Sequence, residues 1–265
     1  MSVDDKPAAA GTRRFTPEEQ GALLVVLPHP DDESFSSGGT MARAADAGVP
    51  AIYLCGTYGD MGRRFGNPPV ADRESLRDVR IVEMQAAAEI LGIEVEYFGL
   101  RDKCVEFEDP LELAASIASS ITAKRATTVI SFYPGYGVHP DHDALGHATV
   151  LAVRSLPPAS RPLLLGVAVG GSEAAKTLAP GTELGDPEVE VDISTIYKRK
   201  IGALRAHRSQ TVTMFAEIDK VFDLDTLQEV PGAPEADEET LRWRERLTKV
   251  ERFHVLDPDA KTLLE

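Results

Sequence analysis

The sequence predicts an α/β chain: a Rossmann-like, mostly parallel sheet with helices on both faces, in a single domain. Three observations carry this. Short, largely apolar runs recur at 22–26, 51–55, 95–98 and 127–132, brief enough for strands, and the first is uncharged and reads as buried. Longer segments between them place apolar residues three or four apart, the pattern of an amphipathic helix. Strands and helices that alternate in this way give parallel strands joined by right-handed crossovers.

Taken in order, residues 1–20 are polar, carry Asp4 and Asp5, and lack an apolar stretch. They read as a disordered tail ahead of one domain over 21–265, and not as a secretory signal. The strand at 22–26 runs into Pro28 and Pro30, which end it and stiffen the turn. Gly38-Gly39 opens a helix over 40–47, closed by Gly48 and Pro50. After the second strand, the loop 56–72 is rich in Gly and Pro, and its length points to function. The segment 73–91 is a helix, with Leu76, Val79, Met84, Ala87, Ala88 and Leu91 on one stripe and Gly92 at its end. Pro110 starts a helix over 110–123. Beyond the fourth strand, 163–169 and 189–193 read as strands and 195–206 as a helix. An acidic solvated loop at 231–239, a charged helix at 241–250 and a last strand at 253–256 complete the chain.

Composition excludes several classes. The 265 residues include 28 basic and 43 acidic side chains, a net charge of −15 that argues against a nucleic-acid or anionic-membrane surface. No apolar stretch reaches membrane-spanning length. Cys55 and Cys104 form no CxxC pair and no disulfide framework, which fits a reducing cytoplasm. The oligomeric state is left open, a homo-oligomer included.

Two turns carry the chemistry. The first is Leu27-Pro28-His29-Pro30-Asp31-Asp32-Glu33, at the mouth of the first strand, where α/β sheets place their sites. Neighbouring carboxylates against an apolar wall are costly unless a divalent cation neutralises them. His29 and Asp32, three apart, can be aimed at one point with Asp31 beside them: two ligands and a base. The alternative is that Asp31 or Asp32 merely caps the next helix. The second turn, Gly137-Val138-His139-Pro140-Asp141-His142-Asp143, follows the fourth strand with the same logic. His29, Asp32 and His142 then form a His-Asp-His set with an open fourth position, as in catalytic zinc sites. His139 beside Asp141 suits a cationic oxyanion stabiliser or general acid, or else Asp141 only caps the helix and His139 packs there. His147, five residues after His142, reads as a helix-surface histidine.

These two turns resemble those of the LmbE-like (PIG-L) family of zinc-dependent N-acetylglucosaminyl deacetylases, with its HPDDE and HPDH signatures. Within it, residues 55–63, Gly66-Asn67-Pro68, residues 99–103 and Ala206-His207-Arg208-Ser209-Gln210-Thr211 are similar to the bacillithiol biosynthesis deacetylases acting on N-acetylglucosaminyl malate. The resemblance spans about 22–215. It implies Zn2+, or another divalent ion such as Fe2+, on His29, Asp32 and His142, with Asp31 as base. It implies His139, supported by Asp141, as stabiliser of the tetrahedral intermediate. Arg80 and Asp102 match substrate-binding positions, and Tyr136 matches a substrate aromatic with a one-residue offset. His207 lies in a segment that closes over the site in the family, and is expected either to contact substrate or to cap its helix. The implied partner is a small amino-sugar substrate, with release of acetate. Two rivals remain: an amidase on S-conjugates of a sugar thiol, and a non-catalytic module with a nucleotide at the Gly38-Gly39 helix terminus. No G-x-G-x-x-G follows the first strand, which counts against the module.

Overall fold

The structure is a computed structural model and describes residues 13–168, 184–260 and 263. Ten strands form in chain order: β1 (Arg13–Arg14), β2 (Leu23–Leu27), β3 (Ala51–Thr57), β4 (Glu94–Leu100), β5 (Thr128–Phe132), β6 (Leu163–Val167), β7 (Val189–Asp192), β8 (Phe222–Asp223), β9 (Gln228–Glu229) and β10 (Val250–Val255). Eight of them make one sheet in the order β1-β7-β10-β6-β5-β2-β3-β4. From β6 to β4 all pairings are parallel, whereas β10 runs antiparallel to both β6 and β7. β8 and β9 form a separate small ribbon.

The apolar runs are uninterrupted because both faces are covered. In β2, Leu23, Val25 and Leu27 pack into one core and Leu24 and Val26 into the other. On the first face lie α2 (Gly38–Asp46), α3 (Leu76–Leu91), α6 (Tyr197–Ala206) and α7 (Arg208–Val221). On the second lie α4 (Pro110–Lys124) and α5 (Pro140–Ser155). A short α1 (Asp32–Ser36) precedes α2, and α8 (Glu238–Arg246) precedes β10. Helix α5 sits directly on the end of β5. A Cβ at Gly146 would stand 2.5 Å from the Phe132 carbonyl oxygen, so only glycine permits this approach.

The topology decides where the site falls. β2 is central: the chain moves outward to β3 and β4, then returns to place β5 and β6 on the other side. The reversal leaves a crevice beyond the carboxyl ends of β2 and β5, the strands that the two Pro-stiffened turns leave.

Several local expectations are corrected. Arg13–Arg14 pairs with β7 and Glu18 forms an ion pair with Arg43, so the expected disordered tail does not extend through 13–20; residues 1–12 lie outside the described residues. The turn after β2 is itself helical from Asp32, ahead of the expected 40–47 helix. α7 has no counterpart in the sequence reading, because its apolar positions are diluted by polar neighbours. The expected helix at 241–250 ends at Arg246, and Val250 already belongs to β10. The strand expected over 163–169 ends at Val167, and Val169 lies outside the described residues.

The N-terminus of α2 is closed by a residue 211 positions away. Glu251 on β10 accepts hydrogen bonds from the backbone amides of Gly39 and Thr40, at 2.8 and 2.7 Å, and from the Thr40 hydroxyl at 2.6 Å. Its other partner is the buried Lys200 ammonium on α6, at 2.6 Å. The helix terminus that a nucleotide phosphate would need is therefore held by a carboxylate of the chain itself. Among the described residues, no helix is long and apolar enough to cross a membrane. Glu251→Ala should lower the unfolding free energy by about 3–5 kcal/mol, because it strands the Lys200 charge in the interior. Adding Lys200→Met should recover most of this and leave a deficit of about 1 kcal/mol for the uncapped amides. Urea unfolding of the two variants beside the parent checks both statements.

Candidate metal and catalytic site

The first turn is built by backbone geometry. Asp31 adopts φ 102°, a left-handed conformation, at the N-cap of α1, and its side chain makes no capping hydrogen bond. Asp32 does not cap α1 either. Its Oδ2 accepts the backbone N–H of His29 at 2.9 Å, which closes the turn on itself. His29 Nδ1 lies 3.3 Å from Asp32 Oδ2. On its other edge, His29 Nε2 lies 3.2 Å from Asp102 Oδ1 and 3.3 Å from Asp141 Oδ2.

The second turn delivers two imidazoles. His142, stacked on Phe132 at 3.9 Å between ring centroids, donates Nδ1–H to the Gly137 carbonyl at 2.8 Å. That bond leaves its Nε2 lone pair bare. His142 Nε2 lies 3.2 Å from His29 Nδ1 and 3.5 Å from Asp32 Oδ1. His139 is the N-cap of α5: its Nδ1 accepts the backbone N–H of Asp141 at 3.1 Å, so Nε2 carries the hydrogen and points outward.

These three contacts test the metal reading. With His29 Nε2–H given to carboxylates and His142 Nδ1–H given to a carbonyl, two bare ring nitrogens and a carboxylate face one another. Such a convergence of lone pairs repels unless a cation stands between them. The separations of 3.2 Å between His29 Nδ1 and His142 Nε2 and 3.5 Å between His142 Nε2 and Asp32 Oδ1 are close to the edge, about 3.3–3.4 Å, of a tetrahedron whose ligands sit about 2.0–2.1 Å from a central ion. The group therefore fits a metal ion, and His29, Asp32 and His142 could hold one. Burial acts to lower the His29 pKa, but its hydrogen bonds to the Asp102, Asp141 and Asp32 carboxylates outweigh it and raise it well above the usual value. Burial lowers the pKa of His142 and His139. Asp32 is held below the usual carboxylate range: its two imidazole neighbours overcome the cost of burial. Burial instead lifts the Asp31 carboxyl to about 6, against the pull of Arg80.

Around this group lies a layer that the sequence reading placed differently. Asp141, expected to support His139, is fully buried; its carboxylate accepts from Lys103 N–H at 2.7 Å and Val105 N–H at 3.2 Å and faces His29. Its carboxylate faces His29, while its backbone N–H reaches His139 Nδ1. Asp102, expected as a sugar contact, is 2% exposed, with one oxygen on His29 and the other on the Met61 N–H at 2.7 Å. Arg80, expected to bind substrate or pair with Glu83, turns inward: it donates to the carbonyls of Gly59 and Pro30 and to Asp31 Oδ2 at 3.1 Å. Gly59 is required there, because a Cβ would stand 2.0 Å from the guanidinium. Glu83 accepts from the Ser209 N–H and hydroxyl, both at 2.6 Å.

His207, expected to touch substrate or cap a helix, does neither through its side chain. It is fully buried at the junction of α6 and α7, with Nε2 2.8 Å from Glu33 Oε1. Burial acts to lower its pKa, and the Glu33 charge overrides that and raises it. The other Glu33 oxygen accepts the backbone N–H of Asp31 at 2.9 Å. Glu33 is thus a residue the motif contained but whose role spacing did not reveal: it links α6–α7 to the Asp31 backbone. Only a third acid in the same turn, with no obvious task, signalled it.

Two cavities meet at the metal group. A cleft of about 330 Å³ is lined by Asp31, His139, Asp102 and Arg80 together with Arg63 and Gln210. A cavity of about 440 Å³ opens on the other side, between Asp32, His142 and the α8–β10 segment. Tyr136 lines neither; it is buried and packs edge-on to Tyr133 at 5.0 Å. His147 is not on the open helix surface: its Nε2 is buried, and the residue lines a separate groove with Leu113 and Pro140.

Comparison with known proteins agrees with this geometry. The family model described as PIG-L: GlcNAc-PI de-N-acetylase matches residues 24–153. A probable N-acetyl-alpha-D-glucosaminyl L-malate deacetylase 2 of Bacillus anthracis is 40% identical over 225 residues, covering 84% of this chain and 92% of that protein. Among solved structures, the N,N'-diacetylchitobiose deacetylase of Pyrococcus horikoshii superposes with a TM-score of 0.60 at 21% identity, over 92% of this chain and 86% of that one. The 4-carboxy-2-hydroxymuconate hydratase GalB of Pseudomonas putida shares the fold at a TM-score of 0.57 and 20% identity, over 75% and 86%, so the fold alone does not select the reaction. On the similarity to the Bacillus protein, which runs through both turns, the chain belongs to the PIG-L family of de-N-acetylases.

Proposed function

We propose that the protein removes the acetyl group from an N-acetylglucosaminyl substrate carrying an acidic aglycone, with N-acetylglucosaminyl malate as the substrate that its relatives favour. The observation that carries this reading is the convergence of His29 Nδ1, Asp32 and His142 Nε2 beside Asp31. His29, Asp32 and His142 would hold the metal. Nitrogen-rich ligation with one carboxylate suits Zn2+ over Mg2+ or Ca2+. When bound, such an ion lowers the pKa of a water and polarises an amide carbonyl.

The chain's own residues do the rest. Asp31, with its carboxyl lifted to about 6, takes the proton of the attacking water and later gives it to the departing sugar amine. The outward Nε2–H of neutral His139 donates to the oxyanion. Asp102 and Asp141 hold His29 in the tautomer that leaves Nδ1 bare. Arg80 holds Asp31 in place and neutralises part of its charge. The free thiols Cys55 and Cys104 fit work in a reducing cytoplasm.

Purified protein loaded with zinc should release acetate and free amine from N-acetylglucosaminyl malate faster than from a bacillithiol S-conjugate; the reverse order would assign it to the amidases. His29→Ala, Asp32→Ala and His142→Ala should each lose metal, read by elemental analysis of the same preparations, and unchanged stoichiometry in all three would refute the ligand set. Asp31→Ala should keep its zinc and lose turnover by a factor on the order of 100 or more. For the parent, kcat/KM should fall as pH drops through about 6, as a base with the raised carboxyl becomes protonated, and the residual rate of Asp31→Ala should lack that limb. His207→Ala strands the buried Glu33 carboxylate, so it should lower the unfolding free energy by about 3–5 kcal/mol, measured in denaturant. A His207 variant of parental stability with a raised KM would return it to a substrate-contacting role.

A further inference from the structure

The aglycone end of the proposed substrate needs a receptor, and the cleft around Asp102 is not the place the geometry favours. That cleft offers Gln210, Arg63, Lys103 and the His139 N–H, the polar lining that suits a hydroxylated ring. The 440 Å³ cavity on the opposite side of Asp32 and His142 differs in kind. Its floor is apolar, from Phe35, Phe132 and Val167. Its cations are Lys200, Arg246 and Arg252. Lys200 is committed to Glu251 at 2.6 Å and Arg252 to Glu190 at 2.7 Å. Arg246, in the last turn of α8, forms no ion pair or hydrogen bond with a described residue; its guanidinium lies 6.0 Å over the Phe35 ring and faces the Asp31 and Asp32 carboxylates across the cavity. Glu245 beside it is an acceptor available to a hydroxyl.

We propose that Arg246 is the carboxylate anchor of a second subsite, in which the apolar floor of this cavity takes the hydrocarbon body of a short acidic aglycone. The inference rests on the deacetylase reading above and extends it to the group that selects the substrate. An unpaired guanidinium can close on a carboxylate through two parallel N–H donors, which a lysine in its place would not reproduce. The requirement is sharpened by the chain's net charge of −15: an anionic substrate is repelled by most of the surface and needs a local cation at the site. The cavity shares Asp31, Asp32 and His142 with the cleft, so a ligand can lay its acetamide at the metal group and reach both sides. In the sugar itself the carbon that bears the acetamide and the glycosidic carbon are adjacent, so the glycosidic oxygen lies three bonds from the amide nitrogen and the aglycone starts close to the metal group. A receptor on the far side of the metal ligands satisfies that closeness.

The test is a selectivity ratio: kcat/KM on N-acetylglucosaminyl malate divided by kcat/KM on methyl N-acetylglucosaminide, with metal content and melting temperature measured in the same preparations. Arg246→Ala should lower the ratio on the order of tenfold, mainly through KM for the acidic substrate, the weight of one hydrogen bond to a charged group. Arg246→Lys should fall between, and Arg246→Gln, which keeps a polar side chain without the charge, guards against a loss through misfolding. A ratio unchanged in all three variants overturns the anchor. So does a ratio that collapses in Arg63→Ala while holding in Arg246→Ala, which would place the acid in the Asp102 cleft. A parent enzyme that prefers neither substrate also refutes the anchor but leaves the deacetylase reading standing, whereas one that releases amine from neither removes both.

Discussion

Asp31 stands at φ 102°, a conformation that costs a non-glycine residue about 1–2 kcal/mol, and much of the surrounding structure holds it there. Its backbone N–H is taken by Glu33, its carboxylate by Arg80, and the Pro30 carbonyl before it by the same guanidinium. Glu33 is in turn fixed by His207, from the junction of two helices 174 positions further along the chain. Were Asp31 to relax into an ordinary helical N-cap, its carboxylate would turn toward the amides of α1 and away from the metal group. The strain at the turn is therefore offset by interactions that no local segment could supply, a pattern common where geometry serves chemistry.

The same logic governs charge. Asp31, Asp32, Glu33, Asp102 and Asp141 crowd one edge of the sheet, a density that would unfold a protein if the groups were buried bare. Each has instead a specific cationic or N–H partner. Asp102 and Asp141 share His29, Asp141 also takes two backbone amides, and Glu33 takes His207. The Asp31 carboxyl is raised, because burial lifts it, Arg80 only partly offsets this and the neighbouring acids push further. Its raised carboxyl is what fits the proposed base to act near neutral pH, since a carboxylate of ordinary acidity would hold a proton too weakly to return it to an amine.

Fold sharing with a hydratase shows that the crevice beyond β2 and β5 is a platform and not a reaction. The chemistry of this chain rests on the pair of turns on that platform and the walls on either side. The wall formed by α8 and β10 belongs to the part of the chain past residue 215, where no motif was legible. It supplies both Arg246 and the Glu251 carboxylate that occupies the α2 terminus. One segment thus shapes a cavity at the metal group and blocks the phosphate site that a Rossmann-like sheet would otherwise offer.

The sequence by itself determined the sheet class, the two turns, and the set His29, Asp32 and His142, because these depend on short-range rules: prolines end strands, and spacings of three aim side chains at one point. It also placed Asp31 and His139 at the site. The contacts it did not give share one cause. Asp102, Asp141, Arg80 and His207 are each near the site, and spacing or resemblance could say no more than that. What holds each is settled by partners 21 to 174 residues away: Lys103 N–H for Asp141, Gly59 and Asp31 for Arg80, Glu33 for His207. A buried polar group must find its partner wherever packing provides one, and that partner lies outside any local window. The tertiary structure alone therefore decided which distant partner holds each of these residues.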